Sequence, residues 1–153
     1  MRRTGKAGSL AAAICILLAG CGSSSSGTMS AKEYQSKGNA ICAKSLKQLK
    51  ALGQPNSERQ FIEYLPKAVA ISEGEVAQLS GLSAPSSNKA SFHAAISGAT
   101  RATSILAEFS KKLTEKQVKL SAFSTIQKQV GSLGAQINAN FTKAGLPECA
   151  REQ

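Results

Sequence analysis

Few residues in this 153-residue chain are equipped for bond-making chemistry. There is one histidine, His93, there is no aspartate, and all nine acidic residues are glutamates. A serine nucleophile needs an imidazole base and a carboxylate to orient that base. His93 is the sole candidate base, and the G-x-S-x-G turn that exposes a nucleophilic serine does not occur. Glycoside hydrolysis needs two facing carboxyls with divided roles. Glu73 and Glu75 are close in sequence, but side chains two apart on a helix point in different directions. Glu63 and Glu108 are separated along the chain and nothing in the sequence pairs them. No glycine loop for phosphate and no H-E-x-x-H pattern is present. His93 follows Phe92 beside an apolar helical face and reads as a structural or surface residue. An enzyme is therefore not expected, and no metal or cofactor is implied.

The four cysteines divide by position. Cys15 and Cys21 sit near the start, whereas Cys42 and Cys149 lie in the body of the chain. Residues 1–20 have the layout of an export signal. Met1-Arg2-Arg3-Thr4-Gly5-Lys6 is basic, and residues 7–18 form a short apolar stretch that includes Leu10, Ile14, Ile16, Leu17 and Leu18. A membrane-spanning helix needs about 20 apolar residues, so this run is too short to be one.

The segment ends in Leu18-Ala19-Gly20-Cys21. This resembles the lipobox of bacterial lipoprotein precursors, and it stands directly after a basic region and an apolar core, as in that family. The resemblance implies that Cys21 is linked to diacylglycerol and that the bond between Gly20 and Cys21 is cut. Cys15 would leave with the signal, and Cys21 would become the lipidated N-terminus. Gly22 stands where some family members carry an aspartate retention signal. The expected address is the extracytoplasmic face of a cell membrane, reached through the lipid alone.

Gly22-Ser23-Ser24-Ser25-Ser26-Gly27-Thr28 follows. Such a tract buries too little apolar surface to fold and reads as a flexible tether. The expected organisation is therefore a signal peptide over residues 1–20, a lipidated tether over 21–29 and one folded domain over 30–153. Loss of Arg2, Arg3 and Lys6 with the signal takes the formal charge from +10 to +7. A basic domain beside a membrane is drawn to anionic lipid or wall polymer. The lysines are spread along the chain, however, as expected for solvated helix faces. Lys111, Lys112, Lys116 and Lys119 are the densest group. Nucleic acid is not an expected partner, because no aromatic residues interleave with the basic ones to stack bases.

From Ser30 onward the pattern is helical, and no run alternates with period two. Ser30-Ala31-Lys32-Glu33 and Ser57-Glu58-Arg59-Gln60 have the form of capping boxes. The first helix carries Tyr34, Ile41, Leu49 and Leu52, with Gly53 as its stop and Gln54-Pro55-Asn56 as the turn. The second carries Phe61, Leu65, Val69, Val76 and Leu79, and Pro66 inside it is expected to kink or split it. Residues 80–87 are rich in turn formers. The third helix starts near Asn88 and presents Phe92, Ile96, Ala99, Leu106 and Leu113. Thr114-Glu115-Lys116-Gln117 reads as another box and predicts a break. The fourth helix shows the clearest stripe, Phe123, Ile126, Val130, Leu133, Ile137 and Phe141, followed by Gly145 and Pro147 as terminators. Gly38, Gly74, Gly98, Gly131 and Gly134 fall inside these helices and weaken their predicted limits. The fold class expected is all-α, an antiparallel four-helix bundle.

Cys42 in the first helix and Cys149 after the fourth form an even pair, and in an exported domain that reads as a disulfide. A redox pair is usually closely spaced, which these two are not. Zinc would need two further ligands, and only His93 is an obvious one. The combination of Asn39-Ala40-Ile41-Cys42 with Gly145-Leu146-Pro147-Glu148-Cys149-Ala150 is similar to small actinobacterial lipoproteins. That group has no established activity to carry over, so the likeness bears on pairing and fold only. The function expected is non-enzymatic binding or scaffolding in the cell envelope, with a protein, wall polymer or lipid as partner. The alternative is a carrier of a small apolar ligand, and an envelope hydrolase ranks last. A roomy apolar cavity between the helices favours the carrier, and a fully packed core favours the scaffold.

Overall fold

The computed structural model describes residues 29–150. The expected signal segment with Cys15, the expected lipidation site Cys21 and the Ser/Gly tract 22–28 lie outside the described residues. The rest is all-α: α1 (Ala31–Ala51), α2 (Glu58–Ser80), α3 (Lys89–Thr114) and α4 (Phe123–Lys143), with short 3-10 turns at Leu120–Ala122 and Pro147–Ala150. Among the described residues there is no strand, and no helix is long and apolar enough to cross a membrane.

Capping chemistry sets the helix limits. Ser30 Oγ accepts from the Glu33 N–H (3.2 Å), which satisfies one free donor at the start of α1. Glu33 does not complete the reciprocal box, because its carboxylate binds Lys37 Nζ one turn on at 2.7 Å. At α2, Ser57 Oγ accepts from the Gln60 N–H (3.2 Å), and Gln60 Oε1 accepts from the Asn56 N–H at 2.7 Å. That box is closed one residue early, on Asn56 rather than Ser57. Gly53 ends α1 with φ +72° and Gly145 ends α4 with φ +77°, the left-handed conformation that costs glycine nothing.

Of the kink or split expected at Pro66, the split does not occur, and the third capping box is corrected. α2 runs without interruption through Pro66, so the helix is not split. Pro66 is exposed, so water can solvate the carbonyl it leaves without a donor, while Leu65 and Val69 on the inner face hold both sides in the core. The box at Thr114-Glu115-Lys116-Gln117 does not start a helix. It contains the end of α3: Lys116 takes φ +59°, its N–H donates to Leu113 O (3.1 Å), and Gln117 N–H donates back to Lys112 O at 2.8 Å. This is a Schellman closure with lysine where glycine is usual. The break is where the sequence placed it, but its chemistry is that of a C-terminus.

Two apolar clusters mark the ends of the molecule. One joins Tyr34 and Cys42 of α1, Leu79 near the end of α2, Phe92 and Ala95 near the start of α3, Phe141 of α4, and Ala144, Leu146 and Cys149 of the tail. The other joins Leu65 and Val69 near the start of α2 with Phe109 and Leu113 near the end of α3, and Phe123 and Ile126 of α4 pack against it. Successive helices therefore run antiparallel. α3 packs closely on both α2 and α4, whereas α1 packs on α2 and on the C-terminal turn. No α1 residue belongs to the second cluster.

The tail is held by several independent contacts. Cys42 and Cys149 form a disulfide with Cα atoms 5.0 Å apart, across 107 residues of sequence. Glu148 N–H donates to Asn39 Oδ1 at 3.0 Å. Leu146 is fully buried against Gly38, where an added Cβ would lie 2.5 Å from a Leu146 methyl. Asn88 does not cap α3 with its side chain, and its Nδ2 donates instead to the Ala144 carbonyl (2.9 Å), tying the start of α3 to the end of α4.

Candidate functional site

The residues first considered for chemistry are dispersed over the surface. His93 is exposed, with its ring 6.0 Å from that of Phe92. Glu63 is exposed and pairs with Arg59 on its own helix at 3.2 Å. Glu108 is exposed and pairs with Lys112 at 2.6 Å, and the lysine's hydrogen bond and charge hold its carboxyl below the usual range. Such i,i+4 surface pairs are screened by water and imply no site. Lys111, Lys112, Lys116 and Lys119 are exposed around the end of α3 and the loop after it. Among the described residues, no cluster of three or more His, Cys, Asp or Glu side chains is placed to hold a metal. Cys42 and Cys149 are buried and bonded to each other.

A site appears between the two apolar clusters, where α1 does not reach. A groove of about 530 Å³ runs along the inner faces of α2, α3 and α4. Its wall on α2 is Ser72, Glu75 and Val76, and its floor on α3 is Ala99, Ala102, Thr103 and Leu106. The opposite wall on α4 includes Val130, Gly131, Gly134, Ala135, Ile137 and Asn138, and Phe141 and Cys149 close one end. The positions recur at three, four and seven residues, so each helix turns one continuous stripe into the groove. No residue of α1 lines it.

Small side chains create the space. An added Cβ at Gly131 or Gly134 would meet no atom within 4 Å, so these glycines leave room rather than permit a close helix crossing. Gly98 is different, because an added Cβ there would lie 2.8 Å from Ile137 Cγ1, so α3 and α4 are in close contact at that point. The volume falls within the roughly 300–1,000 Å³ usual for small-molecule sites. Two other depressions are smaller: about 280 Å³ over the α1–α2 turn and about 320 Å³ beside Pro66.

The stripe on α4 therefore does not do what its spacing predicts. Of Phe123, Ile126, Val130, Leu133, Ile137 and Phe141, only Phe141 is buried, and the other five are half-buried. A fully covered seam needs a fourth helix across it, and α1 is turned toward α2 and the tail instead. The most informative groove residue is Glu75, 8% exposed on the inner face of α2. Its partner in sequence, Glu73, is exposed. The two do point in different directions, as their spacing implies. The sequence did hold a signal for Glu75: it lies four residues before Leu79, one turn away on the buried side of α2. Reading glutamates only as possible catalytic pairs concealed it.

Compared with known proteins, the chain matches no family model, no curated protein and no solved structure.

Proposed function

We propose that the protein is a lipid-anchored, extracytoplasmic binding protein that holds a small, largely apolar ligand in the groove between α2, α3 and α4. The groove is the observation that carries this reading. It is a concave, mostly apolar surface with a few convergent polar groups (Thr103, Asn138 and Glu75), which is the usual make-up of a small-molecule site. Retention by both clusters and by the disulfide keeps its walls in place without ligand. The anchor rests on the likeness of Leu18-Ala19-Gly20-Cys21 to the lipobox. Two acyl chains on Cys21 would hold the protein firmly, since each buried methylene contributes about 0.8 kcal/mol. Lys44, Lys47 and Lys50 are exposed on α1, the helix next to the tether, which favours anionic headgroups or wall polymer as its surroundings.

Two measurements test the proposal. Cys21→Ser should move the protein from the membrane fraction to the soluble one, and full retention on membranes would end the anchor reading. The soluble Cys21→Ser chain should bind the neutral apolar dye Nile red saturably, one per chain. Gly134→Leu, which puts a side chain into open groove, should weaken that binding by about tenfold or more. Dye binding that never saturates, or that ignores Gly134→Leu, would end the groove reading.

A further inference from the structure

We propose that the groove takes an uncharged, single-chain lipid: one acyl or alkyl chain whose head is hydroxyl or ester oxygen, as in a monoacylglycerol. This deepens the binding reading above and rests on it. Polar side chains reach the lining from all three helices, Ser72 from α2, Thr103 from α3 and Asn138 from α4. None of the three makes a side-chain hydrogen bond among the described residues, whereas Thr100, Thr114 and Thr142 each donate back to the carbonyl four residues earlier. Thr103 is 8% exposed, so its hydroxyl is largely withdrawn from water as well. A buried hydroxyl without a partner is costly, and a ligand that supplies one removes that cost. Two hydroxyls and an amide offer donors and acceptors without charge, which is what a hydroxyl or ester head requires.

Charge disfavours the other head groups. Among the described residues, the lining holds no lysine, arginine or histidine, so a carboxylate or phosphate head meets no cation there. Glu75 is the one ionisable side chain in the lining, and it is already engaged within the chain, so its charge is not left over for an amine. An ion entering such a groove gives up its water without a counter-charge, which costs far more than it does for a neutral head. The formal charge of +10 pulls the other way, toward anions. Distance and screening decide between the two effects. Beyond a Debye length of about 8 Å at physiological salt the field of exposed lysines is largely screened, whereas desolvation acts at the head itself. Size argues for one chain. The lining on α4 runs from Val130 to Phe141, about 16 Å at about 1.5 Å per residue. At roughly 30 Å³ for each water-sized atom of a liquid, the groove's 530 Å³ holds on the order of 18 heavy atoms. That suits one medium-length chain with a small head and is too little for two.

The test is equilibrium dialysis of three labelled probes with the same chain length against the full-length Cys21→Ser chain at neutral pH. The probes are monolauroylglycerol, dodecanoate and dodecyltrimethylammonium. The neutral probe should bind saturably and about tenfold or more tightly than either ion. T103V keeps the side-chain shape and removes the hydroxyl, and N138A removes an amide at a half-buried position. Each should weaken the neutral probe by about two- to tenfold, the effect of one hydrogen bond, while leaving Nile red binding unchanged. Binding of either ion as tightly as the neutral probe would overturn the inference. So would an unchanged affinity for the neutral probe in whichever of the two variants still binds Nile red. If the dye still binds and is weakened by Gly134→Leu, the groove reading survives that loss. Binding of no probe, dye included, would remove both readings. A stable dimer dispersed by Gly134→Leu would place a second copy in the groove and would likewise overturn the proposal.

Discussion

The two halves of this bundle solve the same packing problem in opposite ways. At the end where the chain enters α1 and leaves α4, five elements converge on Tyr34, Phe92, Leu79, Phe141 and Leu146, with exposures of 0–2%. In the middle of the molecule only three helices meet, and small residues keep them from filling the space between them. What differs is coverage rather than hydrophobicity. α4 carries an apolar stripe along its whole length, but the C-terminal turn covers only its last part. A helical stripe therefore specifies a face that prefers cover, while the disulfide-bonded tail decides where cover is supplied.

This contrast can be broken at its strongest point first. Cys42→Ser releases the tail and should cost about 2–5 kcal/mol, the usual range for a native disulfide in a small domain. Its thermal midpoint should fall by many degrees, and an unchanged melting curve would mean that the clusters alone hold the closed end. Glycine-to-alanine substitutions then probe packing directly, because the same methyl group meets opposite environments. Gly38→Ala places a Cβ 2.5 Å from a buried Leu146 methyl and should destabilise by about 1–3 kcal/mol. Gly131→Ala meets nothing within 4 Å and should stabilise by about 0.5–1 kcal/mol through helix propensity. Should both changes have the same sign in a denaturant titration, the two regions would not differ in packing as described.

Between those magnitudes lies Tyr34. Its hydroxyl is buried and bonds to no protein acceptor among the described residues, although the ring packs edge-on against Phe92 at 5.4 Å. Tyr34→Phe keeps the ring and removes the buried polar atom, so it should raise stability by about 1 kcal/mol. It should also remove a pH dependence. Burial pushes the Tyr34 phenol up from 10.0 to about 12, so the folded state favours the neutral form. Stability is then fully present below pH 10.0 and is lost as pH rises through about 12. The wild-type midpoint should decline over that interval more steeply than that of Tyr34→Phe, and parallel curves would contradict the burial.

Much of the fold was legible because local chemistry and long-range packing agree. Ser30, Ser57, Gly53 and Gly145 mark helix ends through their own backbone and side-chain preferences, which need no tertiary information. The pairing of Cys42 with Cys149 was legible for a different reason: once Cys15 and Cys21 are assigned to the leader and anchor, two cysteines remain. What the sequence hid was mutual orientation. Periodicity places Val130, Leu133 and Ile137 on one face but says nothing about whether a neighbour crosses it. Pro66 signals a lost hydrogen bond, but its exposure to solvent decides whether that loss breaks the helix. Gly38 looked like a weakness in α1 and is where Leu146 docks. Glu75 required knowing which side of α2 faces inward and that the opposing wall stands back from it.

The bond between Cys42 and Cys149 has one more consequence. It closes a covalent ring that contains all three interhelical connections, residues 52–57, 81–88 and 115–122. Such connections are where proteases most readily cut a helical protein. A single cut in any of them opens the ring but leaves both pieces joined through sulfur, so a nicked molecule is still one molecule. A clipped chain would migrate at full mass without reductant and as two fragments with it. Anything attached before Cys42 would keep hold of everything downstream after the backbone has been severed.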